Sequence, residues 1–377
     1  MTSINDLKNL PTPPPTGYQP GIEWDGSTGH VTVATKGEQP DRSTIDGVLD
    51  SSPFLNSSEI QVDWSARPRV SIHHDANGEV VQAWYKLPLV KRMERSFEVE
   101  ELLEGVYARP SRFTDTGNRW RTIMLSDQHI GKSELDGGGA DALVARWKNG
   151  VEKALSDGPF EGINLVFGGD TIEGYVSQNG KNIGGCDLTL AEQIRVASHL
   201  VVETIQRCVQ SANRVVVAAV PGNHGETTRV SNVPMTDSHD LQIVSSAQQA
   251  IELAGLGETV TFYYPHEGTG EVTYKAGDTT FTVTHGHKFI GGPVKGAENW
   301  WSGQITNDRP SAASNVLLFG HFHGFRAWSY TARRWVFSCP SLETQSTWFA
   351  NGSGASSTPG ALVFDMKDSK PTNIGVM

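Results

Sequence analysis

Between residues 120 and 254, apolar stretches alternate with amphipathic stretches. Three continuous apolar runs are typical of strands buried on both faces, and they lie at 121–126, 163–167 and 214–220. Three segments with apolar residues at helical spacing are predicted to be helices, at 140–156, 190–210 and 238–254. Thr189 and Glu192 form a capping-box pattern at the start of the second helix. Strands that alternate with helices predict an α/β fold.

After residue 258 the pattern changes to short strand-like segments. Seven such segments are predicted, at 259–264, 271–274, 280–284, 316–319, 325–330, 335–338 and 361–365. The combination predicts a four-layer α-β-β-α sandwich of two mixed sheets with flanking helices, preceded by a small N-terminal β appendage.

The N-terminal third has a different character. Residues 1–45 are rich in Pro, Gly, Ser and Thr and are expected to form a poorly ordered tail. Two alternating runs flank the turn Asp75–Gly78, and its Asn-Gly pair predicts a β-hairpin. We therefore expect a small accessory β-containing module at 46–115 and a main domain at 116–377. A Gly/Ser-rich loop is expected at 351–357.

Composition narrows the functional classes. The 377-residue chain has a formal net charge of −11, which is not typical of a protein that coats nucleic acid. It does not exclude a nuclease, because bound cations supply local positive charge. The three cysteines form no CxxC pattern, which predicts neither a zinc ribbon nor a disulfide framework. Without a signal peptide or an apolar run that would span a bilayer, we expect a cytoplasmic protein with no membrane association.

Five short polar motifs each follow a predicted strand, where α/β proteins place ligand sites. They are Asp127-Gln128-His129, Gly168-Gly169-Asp170, Gly222-Asn223-His224, His285-Gly286-His287 and Gly320-His321-Phe322-His323. Carboxylate, amide and imidazole groups together suit divalent ions such as manganese, iron, zinc or cobalt. Strand alternation would aim the outer side chains of Asp127 and His129, and of His321 and His323, to one side. Each motif alone is weakly specific, but the ordered set of five predicts a metal centre.

In kind and order, these motifs resemble those of the calcineurin-like metallophosphoesterase superfamily. The resemblance covers about residues 127–323, and it is strongest to phage-encoded DNA-processing members that are similar to double-strand-break nucleases. One departure is visible: Gly225 separates His224 from the acidic Glu226.

The resemblance implies a role for each motif residue. Asp127, His129 and His323 would hold a first divalent ion, and Asn223, His285 and His321 a second. Asp170 would bridge the two ions, which we expect to be manganese, with iron, zinc, cobalt or nickel as alternatives. His224 would act on the phosphate or the leaving oxygen, because the imidazole pKa lies near neutral pH.

Three further residues are candidates for substrate contact. His287 follows the proposed ligand His285, whereas Lys132 and Arg229 lie just beyond two of the motifs. For each cation, the alternative is an ordinary solvated surface charge.

The predicted activity is hydrolysis of a phosphate ester by a hydroxide that bridges two metal ions. The expected substrate is DNA, cut by an exo- or endonuclease in a bacterial or phage-infected cytoplasm. One alternative is a phosphodiesterase or phosphomonoesterase for a small nucleotide, and another is a non-catalytic metal-bound interaction scaffold. The sequence leaves open a homodimer or a partner ATPase.

Overall fold

The structure is a computed structural model, and its strands and helices form an α/β protein with mixed sheets. It describes residues 14–25, 28–53, 60–63, 66–91, 101, 112–133, 139–229, 233–344, 358–367 and 370–377. The chain divides into two compact units, Met1–Glu94 and Arg95–Met377. No helix within the described residues is long and apolar enough to cross a membrane.

Within its described residues, the N-terminal unit contains one antiparallel sheet and one helix. Its elements are β1 (Gly21–Trp24), β2 (Thr28–Thr35), α1 (Arg42–Asp50), β3 (Ile60–Val62), β4 (Arg69–His74) and β5 (Val80–Lys91). The sheet order is β1-β2-β5-β3, and β4 also pairs with β5. Valines of β2 and alternate residues of β5 pack against apolar residues of α1 in a single small core. The unit therefore has its own hydrophobic core.

The predicted hairpin is confirmed, because β4 and β5 pair in antiparallel register around the Asn-Gly turn. Part of the expected tail at 1–45 differs from the prediction, since β1, β2 and the start of α1 lie inside it. The reason is the alternation at Val31 and Val33, which buries both valines. Residues 1–13 of the tail, most of 92–111 in the accessory module and the loop at 351–357 lie outside the described residues.

The C-terminal unit contains two sheets and four α-helices within its described residues. Its strands are β6 (Trp120–Leu125), β7 (Phe160–Phe167), β8 (Ala212–Ala219), β9 (Val260–Tyr263), β10 (Glu271–Ala276), β11 (Thr279–Thr284), β12 (Val316–Phe319), β13 (Arg326–Thr331), β14 (Arg334–Ser338), β15 (Leu362–Lys367) and β16 (Lys370–Val376). Its helices are α2 (Ala140–Leu155), α3 (Leu190–Ser211), α4 (His239–Leu253) and α5 (Pro293–Thr306), with 3₁₀ turns at Ser177–Gly185 and Pro310–Ala313.

The first sheet has the order β16-β15-β6-β7-β8-β9, and its strands β6 to β9 are parallel. Apolar residues on one face of these strands form a large core with α2, α3 and α4. The predicted capping box begins α3: the amide of Glu192 donates to Thr189 Oγ1, and the amide of Thr189 donates to Glu192 Oε2. The segment in which strands alternate with helices thus forms parallel strands, within the predicted α/β fold.

The second sheet has the order β10-β11-β12-β14-β13, in which β11, β12 and β14 are parallel. Apolar side chains of both sheets share a second core cluster, which includes Val166, Tyr274 and Phe337. A third cluster packs the far face of the second sheet against α5 through Trp301. The sequence did not predict α5, which begins at Pro293 directly after two glycines and carries Gly296 and Gly303.

Candidate metal centre

The five motifs follow strands β6, β7, β8, β11 and β12, all of which have parallel neighbours. Because the carboxyl ends of parallel strands meet at one edge of a sheet, the loops converge. The loops also bond to one another directly. The amide of Asp127 donates to Gly169 O, that of His129 to Asp170 O, and that of Gly320 to His285 O, each at 3.0 Å.

Backbone conformation at the site differs from the strand alternation expected from the sequence. Asp127, His129, Asp170, His321 and His323 all have φ between 48° and 65°, in the left-handed region. These five are among eight non-glycine residues with positive φ in the described part of the chain. Such conformations are uncommon outside glycine and concentrate at functional sites. The side chains therefore converge through tight left-handed turns, because the strands have already ended.

The first group of candidate ligands is Asp127, His129 and His323, whose nearest donor atoms lie within 4.8 Å of one another. His323 Nε2 lies 3.3 Å from Asp127 Oδ1 and 3.3 Å from His129 Nε2. Asp127 is fully buried, and its carboxylate accepts bonds from Ser126 Oγ at 2.6 Å and from the amide of His321 at 2.9 Å. A carboxylate oxygen and two imidazole nitrogens thus face one point.

The second group is Asp170, His285 and His321, whose nearest donor atoms also lie within 4.8 Å of one another. His285 Nε2 lies 3.0 Å from Asp170 Oδ2, and its Nδ1 bonds Gly168 O at 2.8 Å. The amide of His224 donates to the other carboxylate oxygen of Asp170 at 2.7 Å. His285 Nε2 also lies 4.0 Å from Asp127 Oδ1, so the two groups adjoin each other.

Asn223 contributes a side chain that carries its own evidence for a ligand. Its Oδ1 is buried and finds no hydrogen-bond partner among the described residues. Buried polar atoms without a partner are rare and costly in native proteins, by about 1–3 kcal/mol. The next residue along the chain, His224, binds Asp170 of the second group through its amide. A cation bound beside this loop would satisfy the Asn223 oxygen, so the donor set fits a bound metal ion.

Burial and nearby charges set the protonation states of the candidate ligands. Burial alone would raise the pKa of Asp127, but the nearby His285 and His323 hold it well below its usual value. Burial likewise opposes ionisation of Asp170, and His285 and His224 outweigh it and lower that pKa. Burial together with His285 lowers the pKa of His321 to about 4. Ionised carboxylates and neutral imidazoles are the forms that bind metal ions, so Asp127, Asp170 and His321 are ready to do so. At His285, burial would lower the pKa, but Asp170 and Asp127 outweigh burial and raise it to about 10, so an ion bound there would displace a proton.

His224 lies beside both groups in a different environment. Its ring lies 4.6 Å from that of His129, its Nδ1 bonds Glu173 O at 3.0 Å, and its Nε2 bonds Ser177 Oγ at 3.1 Å. Burial would lower the pKa of His224, but the carboxylates of Asp170 and Glu173 outweigh burial and raise it to about 9. His224 therefore holds a proton at neutral pH that Nε2 can donate.

The structure brings one of the three predicted substrate contacts to the metal groups. The ring of His287 lies 5.4 Å from that of His285 and 6.1 Å from that of His321, and both of its buried nitrogens lack a hydrogen-bond partner among the described residues. Burial together with His285 and Lys288 lowers the pKa of His287 to about 3. The imidazole is therefore neutral, as a ligand or a hydrogen-bond partner requires.

The two predicted cationic contacts are engaged with acidic partners. Lys132 Nζ lies 3.0 Å from each carboxylate oxygen of Glu343. Arg229 pairs with Glu226 at 3.1 Å and donates to Asn223 O at 2.9 Å. Arg229 thus stabilises the loop that carries Asn223. Lys132 contacts Glu343, which in turn lies beside His129 of the first ligand group.

Sequence reasoning missed three buried carboxylates that organise the centre. Glu173 Oε2 lies 2.9 Å from His129 Nδ1 and 3.3 Å from His224 Nδ1. Its place three residues after the motif residue Asp170 was a usable signal. Glu343 Oε1 lies 3.7 Å from His129 Nε2, and no motif marks it.

The third missed carboxylate is Asp240, in the first turn of α4. It accepts hydrogen bonds from the amides of Gly222 and Thr171 at 2.8 Å each. Gly225 must be a glycine here, because a Cβ at that position would overlap the Asp240 carboxylate. Asp240 therefore ties the loops after β7 and β8 together, and the displacement of Glu226 leaves space for it.

Comparisons with known proteins give weak structural likeness. No family model matches the chain, and no curated protein matches it in sequence. Among solved structures, Vps29 from Entamoeba histolytica complexed with zinc is 12% identical, with 67% of this chain and 88% of that chain covered and a TM-score of 0.32. Vps29 from Chaetomium thermophilum is 12% identical over 66% of this chain and 85% of that chain, with a TM-score of 0.34. A predicted phosphoesterase from Streptococcus pneumoniae is 12% identical over 66% and 84%, with a TM-score of 0.30.

Proposed function

We propose that this protein hydrolyses phosphate esters with the help of two divalent metal ions. The observation that carries the proposal is the pair of ligand groups, which adjoin each other at Asp127 and Asp170 with a protonated His224 beside them. Asp127, His129 and His323 would hold one ion, and Asn223, His285 and His321 the other. Asp170 would be shared between the two ions.

When bound, two such ions acidify a water nucleophile and offset the negative charge that develops on the phosphoryl oxygens. The chain's own residues supply the rest. His224 presents Nε2–H toward the leaving oxygen, while its Nδ1 is held by Glu173 O. Because the proton sits on a group of raised pKa, it is available at neutral pH. Manganese is the proposed metal, since mixed carboxylate, amide and imidazole donors suit it.

DNA is the substrate we propose, by exo- or endonuclease action of the kind suggested by the phage-like motifs. A small nucleotide is the second candidate, and one observation favours it. Lys132 and Arg229, the two cations expected to contact substrate, are paired with Glu343 and Glu226. Duplex DNA is normally bound through many phosphate contacts with free cations.

Other expectations from the sequence remain proposals. We propose that the C-terminal unit is the hydrolase domain and that its layers form an α-β-β-α sandwich, which the order of its apolar clusters supports. The N-terminal unit is proposed to be accessory. A non-catalytic scaffold is disfavoured, because the ligands and His224 are all present together.

The test uses purified protein with manganese or with EDTA, on three substrates. They are labelled single-stranded DNA, labelled double-stranded DNA and an artificial phosphodiester. We expect manganese-dependent hydrolysis of the artificial ester, a loss of at least about 100-fold in kcat for His224→Ala, and cleavage of DNA.

Each outcome separates one part of the proposal. Hydrolysis of the small ester without any cleavage of DNA would reject DNA and select the small-nucleotide candidate. Turnover that persists in EDTA would reject the metal-dependent mechanism. An unchanged kcat in His224→Ala would remove the role assigned to that imidazole.

A further inference from the structure

The strongest group outside the assigned ligands is the buried carboxylate of Glu343. Its side chain is 7% exposed, and Oε1 lies 3.7 Å from His129 Nε2. That nitrogen is the same one that lies 3.3 Å from His323 Nε2. Glu343 therefore faces the first ligand group from the side opposite Glu173, which contacts His129 Nδ1.

The segment that carries Glu343 is anchored to the site. Ser341 Oγ donates to Asp127 O at 3.0 Å, and the amide of Glu343 donates back to Ser341 Oγ at 2.9 Å. From α2, Arg146 Nη1 donates to Leu342 O at 2.6 Å. These bonds fix the position of Glu343 relative to Asp127, so the carboxylate is held at the site by the fold.

The 3.7 Å distance is compatible with shared coordination. Ligand atoms bind such ions at roughly 2.1 Å, so two atoms on one ion lie no more than roughly 4.2 Å apart. Three distances at the first ligand group fall below that limit. They join His129 Nε2 to Glu343 Oε1, His129 Nε2 to His323 Nε2, and His323 Nε2 to Asp127 Oδ1.

We propose that Glu343 is an additional ligand of the first metal ion. This inference rests on the proposed two-metal function and extends it to a difference between the two sites. The first ion would then meet the carboxylates of Asp127, Asp170 and Glu343 with two imidazoles. The second would share Asp170 and otherwise meet only neutral donors, namely Asn223, His285 and His321.

That difference in charge has a direct consequence for binding. A site with three carboxylates attracts a hard divalent ion more strongly than a site with one. The first site should therefore fill at lower manganese concentration than the second. Lys132, which pairs with Glu343, would compete with the ion for the same carboxylate.

The test is a titration of the full chain with manganese. Binding is measured by calorimetry and by the electron paramagnetic resonance signal of free manganese. The wild-type protein should show a tight and a weak step. In Glu343→Gln, the tight step should weaken by about tenfold or more, whereas Lys132→Gln should keep it at least as tight as in the wild-type protein. The matched control is Glu203→Gln, because Glu203 is also buried and paired with a lysine, Lys148, but lies on α3.

A spectroscopic measurement distinguishes whether Glu343 coordinates the ion itself or acts by positioning His129. At saturation with cobalt(II), Glu343→Gln should change the positions and intensities of the visible d–d bands, because one donor of the first ion is altered. The double variant Lys132→Gln/Glu343→Gln should show the same change, and it removes both members of the ion pair together.

Two results would overturn the inference. One is a manganese titration of Glu343→Gln that coincides with wild type. The other is a variant whose affinity falls while its saturated cobalt spectrum is unchanged, which would make Glu343 a positioning residue. If the wild-type protein binds no manganese, the proposed function itself fails, and that outcome is distinct from both.

Discussion

Replacing Glu173 with glutamine tests how the protein keeps His224 protonated. The carboxylate lies 3.3 Å from His224 Nδ1 and is almost fully buried. At an effective dielectric constant of about 20, a unit charge at that distance stabilises an imidazolium by roughly 5 kcal/mol. One pKa unit corresponds to about 1.4 kcal/mol, so removing the charge should lower the pKa of His224 by roughly three and a half units. From about 9, the pKa would fall below neutrality.

The direction of the expected pH dependence follows from the raised pKa of His224. In the metal-free protein His224 is protonated below about pH 9, and the charge of Glu173 favours its proton whether or not ions are bound, so a reaction that needs the proton extends to higher pH in the wild-type protein than in the variant. In Glu173→Gln the same reaction is lost as pH rises through the lower pKa. With the artificial phosphodiester and saturating manganese, we expect kcat at pH 7.5 to fall by about 100-fold and to recover partly toward pH 6.

Glutamine keeps the size of the side chain, and the bond from His224 Nδ1 to Glu173 O is retained because that oxygen is on the backbone. Glu203→Gln serves as the control for loss of a buried carboxylate elsewhere. Superimposable pH–rate profiles for wild type and Glu173→Gln would refute the electrostatic reasoning.

Three further predictions follow from the site and the core. Asp170→Asn should reduce bound manganese from two ions to one or none per chain, as measured by elemental analysis after gel filtration; two retained ions would contradict a shared ligand. Trp301→Ala should lower the free energy of unfolding in urea by about 3–5 kcal/mol, because the ring is fully buried between α5 and the second sheet; a loss below about 1 kcal/mol would contradict that packing. Arg121→Met should cost about 3–5 kcal/mol by the same measurement, because it leaves the buried Asp365, now 2.6 Å from Arg121 Nε, without its cation. Adding Asp365→Asn should restore part of that loss, and strict additivity of the two changes would argue against a coupled pair.

Strongly periodic elements could be predicted from the sequence. The apolar runs of β6, β7 and β8 and the capped α3 lie where hydrophobic periodicity placed them. Helix α5 could not be found in this way. Its apolar face, Ala297, Trp301 and Ile305, is interrupted by glycines of low helix propensity, and packing against the second sheet compensates.

The candidate site could also be predicted only in part. Asp127 and Asp170 could be expected to meet, because they follow neighbouring parallel strands of one sheet. His285 follows a strand of the second sheet, and its place at the site was anticipated from the order of the motifs. Glu343 and Asp240 could not be foreseen, since neither belongs to a local pattern. Their positions depend on tertiary bonds, to Lys132 for the first and to the amides of Gly222 and Thr171 for the second.

The left-handed backbone at the metal groups has a consequence for how the protein would respond to damage elsewhere. Each such residue costs on the order of 1–3 kcal/mol and persists only while its surroundings enforce it. A core substitution that loosens the end of β6 or β12 would let Asp127 or His321 relax to an ordinary conformation before the chain unfolds. Ion affinity should therefore decline at a milder level of destabilisation than the melting temperature does, so that activity is the more sensitive indicator of distant mutations.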